Sequence, residues 1–310
     1  MKSLKQSIQE NLIFEKHGVA EGLVEFAERI TKHMFNWANP ETKKTVHYRS
    51  FYDRLKEKIF PNVFFEEIQV EYAYDYSGKK KSDGFYIISK SPLTDNGLLE
   101  LVEIKINANT ANTKEYLHSI LVHELTHAYE DYCRKLNNGV SMIDVKTIFD
   151  KAKHIKGNPD DEFGPDDVEL SEYMLMSHEV NAFITTIHST MHRYKYELCS
   201  FNNFLTKIKY FNDDKLAITL KTYYDFYDLF NEYIFRGEKR KDIVEKYVKI
   251  YNEMFHTDYD EDKLREKMIQ RFSKVIKKFI KTAGKVFCDT YVGPNAIKLN
   301  VNKIDPRFSN

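Results

Sequence analysis

Two histidines four residues apart with a glutamate between them, His123-Glu124-Leu125-Thr126-His127, are the residues of this chain best suited to chemistry. On a helix advancing about 100° per residue, His123 and His127 stand about 40° apart and one turn from each other, so two imidazole nitrogens can reach a single metal ion. Glu124 then sits beside that ion without binding it. From there a carboxylate can take a proton from an activated water and return it to a leaving group. The neighbouring residues fit a buried helix of this kind, since Ile120, Leu121, Val122, Leu125, Thr126, Ala128 and Tyr129 are all uncharged. A surface helix carrying the histidines by coincidence would place charges at several of those positions.

A catalytic zinc needs a third protein ligand and one open position. Glu179, in the run Ser177-His178-Glu179-Val180-Asn181-Ala182-Phe183, is the candidate. It follows His127 at a distance that accommodates a loop and a returning helix, and Ala182 one turn later leaves room for close approach. Glu130 and Asp131 are rivals, but they share the straight helix of the motif, from which the same ion is hard to reach. His118 falls about 140° around that helix from His123, and the i,i+4 pair His188 and His192 points away from Glu179, so these three read as packing or surface residues. His178, beside Glu179, is either a supporting group or a plain polar helix residue.

HExxH followed by a separate helix bearing Glu-x-x-Ala resembles the gluzincin branch of the zincin metallopeptidases, over about residues 60–195. The resemblance implies zinc held by His123, His127 and Glu179, Glu124 as general base, and a substrate chain pairing along an edge strand somewhere within residues 64–107. A metzincin pattern is excluded by Glu130, which stands where that family has glycine. A Spartan-like repair protease would need a further histidine soon after the motif, and none comes before His154. The chain departs from the gluzincin pattern at Phe183, where many members carry an aspartate that braces a ligand histidine. The donor for a developing oxyanion is open among Tyr173, His178, His192 and Tyr194.

These residues need elements to position them. Apolar side chains at helical spacing predict helices over 3–14 (Leu4, Ile8, Leu12) and 19–36 (Leu23, Phe26, Ile30, Met34). Between Phe64 and Tyr76 the period changes to two, with Ile68, Val70, Tyr72 and Tyr74 on one face, which predicts a half-buried strand. A lysine-rich turn near Gly78 to Asp83 leads to a short apolar run, Phe85 to Ile88. A further strand then places Val102, Ile104 and Ile106 on one face. The motif helix spans about Thr113 to Leu136. Residues 151–170, with Gly157, Pro159, Gly164 and Pro165 among aspartates, read as a loop, followed by one long helix from about Ser171 to Tyr194. Three or four more helices fill Phe201 to Tyr291, and an irregular tail begins at Gly293.

The expected fold is therefore α+β and zincin-like: a small twisted sheet, an HExxH active-site helix and a largely helical C-terminal subdomain. Its organisation is a helical region over 1–60, a catalytic domain over 61–195, a helical subdomain over 196–292 and a tail over 293–310. The expected activity is that of a zinc-dependent metallohydrolase acting on a peptide or protein substrate. The alternative is a non-catalytic zincin-fold protein of structure or assembly, such as a phage virion component, to which the opening segment Ser3 to Ile8 bears a faint likeness.

Composition narrows the partners. The 310 residues carry 47 Lys+Arg against 47 Asp+Glu and are 42% hydrophobic, so a sizeable core is available and overall charge favours no polyanionic partner. The one local exception is the basic helix at 264–285, where Arg265, Lys267, Arg271, Lys274, Lys277, Lys278, Lys281 and Lys285 surround Met268, Phe272, Val275, Ile276 and Phe279. Such a helix can address nucleic acid or an anionic membrane, but it reads more simply as a docked helix with a solvated face. Cys133, Cys199 and Cys288 form no CxxC pair, and no apolar leader or bilayer-length run is visible. The expectation is a cytoplasmic protein, or a virion protein if phage-encoded. The abundance of lysine, asparagine, tyrosine, phenylalanine and isoleucine suits the AT-rich coding genomes of many bacteria and their phages.

Overall fold

The computed structural model describes residues 19–38, 41–52, 63–74, 83–88, 92–136, 163–198, 215–232 and 238–289. The predicted helix over 3–14, most of the lysine-rich turn and the tail from Gly293 lie outside them. The chain divides into two compact units, residues 1–142 and 143–310. Among the described residues it is α+β, with a mixed four-stranded sheet and seven helices.

In the first unit, helix α1 (Val19–Trp37) is followed by strands β1 (Val46–Phe51), β2 (Phe65–Ala73), β3 (Gly84–Ile87) and β4 (Leu99–Asn107), and then by helix α2 (Lys114–Leu136). The sheet order is β1-β2-β4-β3. β2 runs parallel to β4, while β1 and β3 are antiparallel to their neighbours, so β3 is an edge strand. Alternation decides which face is dry. Ile68, Val70 and Tyr72 of β2 register with Val102, Ile104 and Ile106 of β4, and all six are buried. Leu23, Phe26, Ile30 and Met34 of α1 join them in one core with Leu117, Ile120, Leu121, Leu125 and Ala128 of α2. The opposite face is polar, and there Arg49 of β1 donates to both oxygens of Glu67 on β2. Sequence reading passed over β1, although Val46-His47-Tyr48-Arg49 alternates. The strand is short, and its outward residues His47, Arg49 and Phe51 are exposed, which leaves a weak apolar signal.

The second unit consists of α3 (Pro165–Met174), α4 (Ser177–Leu198), α5 (Lys215–Asn231), α6 (Glu238–Phe255) and α7 (Glu261–Asp289). The loop expected over 151–170 is corrected at its end, because a helix begins at Pro165, and the single helix expected from Ser171 is split at Leu175. Both departures have local causes. Gly164 is extended, its N–H is accepted by the Asp167 carboxylate at 2.7 Å, and proline occupies the first helical position, where a missing N–H costs nothing. At the other end, the Leu175 and Met176 amides reach back to Glu172 and Tyr173 at the tighter three-residue spacing that closes a helix. The apolar stripe of α7 is spent in the core: Met268, Phe272, Val275, Ile276 and Phe279 are all buried. Arg271 turns inward to grip Glu172 with both terminal nitrogens. Over its described side chains, then, α7 is a docked helix with no free apolar face. Phe226, Tyr227 and Phe230 of α5 are core residues of the same unit. Among the described residues no helix is long and apolar enough to cross a membrane.

β3 approaches α2 closely at Gly84, where an added Cβ would lie 2.6 Å from Ile120 Cγ2 and 3.5 Å from Glu124 Oε1. Ile120 is fully buried and has little freedom to yield. Gly84→Ala should therefore destabilise the protein by about 1–3 kcal/mol. Denaturant unfolding checks this, and the added cost should largely vanish in an Ile120→Ala background, where the methyl has room.

Candidate metal centre

Helix α2 starts where the Thr113 hydroxyl accepts the Tyr116 N–H at 3.1 Å, satisfying one of the amides a helix start leaves open. Its next three turns are buried all round, from Leu117 to Ala128. The Thr126 hydroxyl is spent on the Val122 carbonyl at 2.7 Å, which makes that polar residue compatible with the core. His123, Glu124 and His127 are 4%, 5% and 5% exposed. The two histidine Nε2 atoms stand 3.1 Å apart, with the rings at 89° to each other. Two imidazoles on one tetrahedral zinc, at about 2.0–2.1 Å each, would bring those nitrogens to about 3.3 Å. The observed spacing is that of one imidazole donating to the other, and it is also close to what two ligands of one ion require.

Glu124 is oriented from the sheet side. Its Oε2 accepts the backbone N–H of Tyr86, on β3, at 2.8 Å. One turn past His127, Asp131 is completely buried and is held by the Tyr86 hydroxyl at 3.1 Å and by Lys135 Nζ at 3.3 Å. That carboxylate, a rival ligand on sequence grounds, is thus committed to a tyrosine and a lysine. His118 is also committed, with Nε2 3.3 Å from the Val24 carbonyl oxygen on α1.

Glu179 lies in the first turn of α4 and is 3% exposed. His178 Nε2 stands 3.5 Å from Glu179 Oε1. Ala182, one turn on, is fully buried. Phe183, where an aspartate would brace a ligand in the pattern this chain resembles, instead packs edge-on against Tyr223 with ring centres 6.1 Å apart. Burial first and the Glu179 charge second hold the Tyr223 hydroxyl well above the usual tyrosine range. That phenol remains a donor at neutral pH and spends its proton on the Met174 carbonyl. Tyr173 is partly buried against the core of the second unit. The side chains of His188, His192 and Tyr194 lie outside the described residues.

Among the described residues one set could hold a metal ion: His123, His127 and Glu179, all buried, with ligand atoms all within 4.8 Å of one another. These are the three residues that spacing alone singled out. Glu130 and Asp131, although buried, do not belong to the set. The donor chemistry, two imidazoles and one carboxylate, suits a divalent transition ion and leaves a tetrahedral ion one open position. Sequence reading missed Tyr86, although a hydroxyl inside the apolar run Phe85 to Ile88 has to find a partner when buried.

Glu179→Ala should abolish tight metal binding, whereas Glu130→Ala and Asp131→Asn should retain about one ion per chain, as measured by elemental analysis of the purified proteins. Retention in Glu179→Ala together with loss in Asp131→Asn would transfer the third-ligand role to Asp131. The measurement has to be made on this chain itself, since no protein-family model, no curated protein and no solved structure matches it.

Proposed function

We propose that this chain is a zinc metallohydrolase of the gluzincin type, acting on peptide bonds. The observation that carries the reading is the buried set of His123, His127 and Glu179 together with a carboxylate, Glu124, that lies next to a ligand in sequence and is not itself a member. His123, His127 and Glu179 would hold the ion. When bound, zinc supplies Lewis acidity that activates a water and polarises a carbonyl.

The remaining work belongs to the protein's own groups. With Oε2 occupied by the Tyr86 N–H, Glu124 has Oε1 available to accept a proton from the attacking water and to return it to the departing amine. Burial around Glu124 keeps bulk water from competing for that proton. β3 contributes an extended backbone on the sheet edge beside the base, suited to a substrate chain added as a further strand. His178, whose Nε2 lies 3.5 Å from Glu179 Oε1, is placed to donate to an oxyanion developing beside that carboxylate.

Glu124→Gln separates this reading from a zincin-like scaffold without activity. The variant should keep its metal, because Glu124 is no ligand, and should lose at least about a thousandfold in peptide hydrolysis, within the range seen when a catalytic proton carrier is removed. Cleavage can be followed on a mixed peptide library by mass spectrometry. Parent protein that binds zinc and cleaves nothing in the library would count against the enzymatic reading.

A further inference from the structure

We infer that Tyr86 is a positioning residue for Glu124, strapping the edge strand to the motif helix at two points and so fixing where the general base aims. This rests on the metallohydrolase reading for its consequence, but the strap itself is read from the first unit alone.

The argument starts from strand register. β3 pairs with β4 as Gly84↔Ile106, Phe85↔Lys105, Tyr86↔Ile104 and Ile87↔Glu103. In an antiparallel pair, successive residues turn their backbone groups alternately toward the partner strand and away from it. The Asp83 carbonyl accepts the Asn107 N–H at 2.9 Å, so the odd-numbered residues here face β4. Gly84 and Tyr86 consequently point their N–H and C=O groups to the open edge. An edge amide of this kind has no sheet partner, and Glu124 provides one for Tyr86.

The side chain of the same residue makes the second attachment, from its hydroxyl to Asp131 Oδ2. Glu124 and Asp131 are seven residues apart on α2, about 10.5 Å and close to two turns, which puts them on one side of the helix with His127 between them. Tyr86 therefore spans the ligand-bearing turn and is anchored above and below it. Gly84 brings the strand close enough for both bonds, since nothing larger than hydrogen fits between it and Ile120. A carboxylate free to rotate would present either oxygen to a water. One tied through Oε2 presents Oε1 in a fixed direction, and orientation of this kind is worth orders of magnitude in rate when reacting atoms must meet within a few tenths of an ångström.

The experiment uses the full chain and site-resolved amide hydrogen exchange, which needs no activity. In the parent protein the amide of residue 86 should be protected despite its edge position. Glu124→Ala should speed its exchange at least about tenfold while the amides of Phe85 and Ile87, bonded to β4, keep their rates. Tyr86→Phe retains the ring and the N–H and removes only the hydroxyl. It should also speed exchange at residue 86, leave metal content unchanged and lower kcat about tenfold with little change in KM. An amide at residue 86 whose exchange is unaffected by Glu124→Ala, or a Tyr86→Phe enzyme with unchanged kcat, overturns the inference. Failure of the underlying reading shows elsewhere, in a parent protein that neither binds zinc nor cleaves peptides, so the two cannot be confused.

Discussion

The structure of the first unit is governed by the burial of ionisable groups on one helix, four of them especially deep. His123, Glu124, His127 and Asp131 are each at most 5% exposed on α2. An unpaired charge in such surroundings costs several kcal/mol even after relaxation, so each carboxylate and imidazole requires a partner brought from another element or from further along the helix. β3 answers for the two carboxylates through a single residue, and Lys135 adds a cation to Asp131. The imidazoles converge on each other, an arrangement that a shared cation would stabilise. The apolar frame of the unit is what makes the requirement severe, since the helix is packed by Ile120, Leu121, Leu125 and Ala128 against a dry sheet face.

This constraint also explains why the fold was partly legible. β2, β4 and α2 announce themselves because burial on one side imposes a period of two or of 3.6, and Ile68, Val70, Val102 and Ile104 sit where that period puts them. β1 was missed because a short edge strand with His47 and Arg49 facing water has little apolar contrast. The start of α3 was missed because a capping glycine and a first-turn proline inside an aspartate cluster look like any other loop.

The site divides along the same line. HExxH is readable because its geometry is local to one helix. Glu179 was accessible as well, through a second helical pattern with a small residue one turn on. The partners of the carboxylates were not. The bond that orients Glu124 comes from a backbone amide, which has no side-chain signature, and the fate of Asp131 depends on a tyrosine far away in the chain. Phe183 is the instructive departure from the resemblance. In place of a bracing carboxylate it contributes an aromatic contact to Tyr223, while His178 Nε2 stands 3.5 Å from Glu179 Oε1.

The outer margin of the sheet carries one more consequence. Unsatisfied amides along such a margin invite another chain to continue the ladder, and proteins usually deter this with short strands, bulges or charges. β3 is four residues long, and one of its two outward amides is already closed by an internal carboxylate. The bond that fixes the Glu124 carboxylate thereby also makes the sheet a poor template for uncontrolled growth. Any guest strand would find that outward amide already taken, and could not zip onto the whole margin.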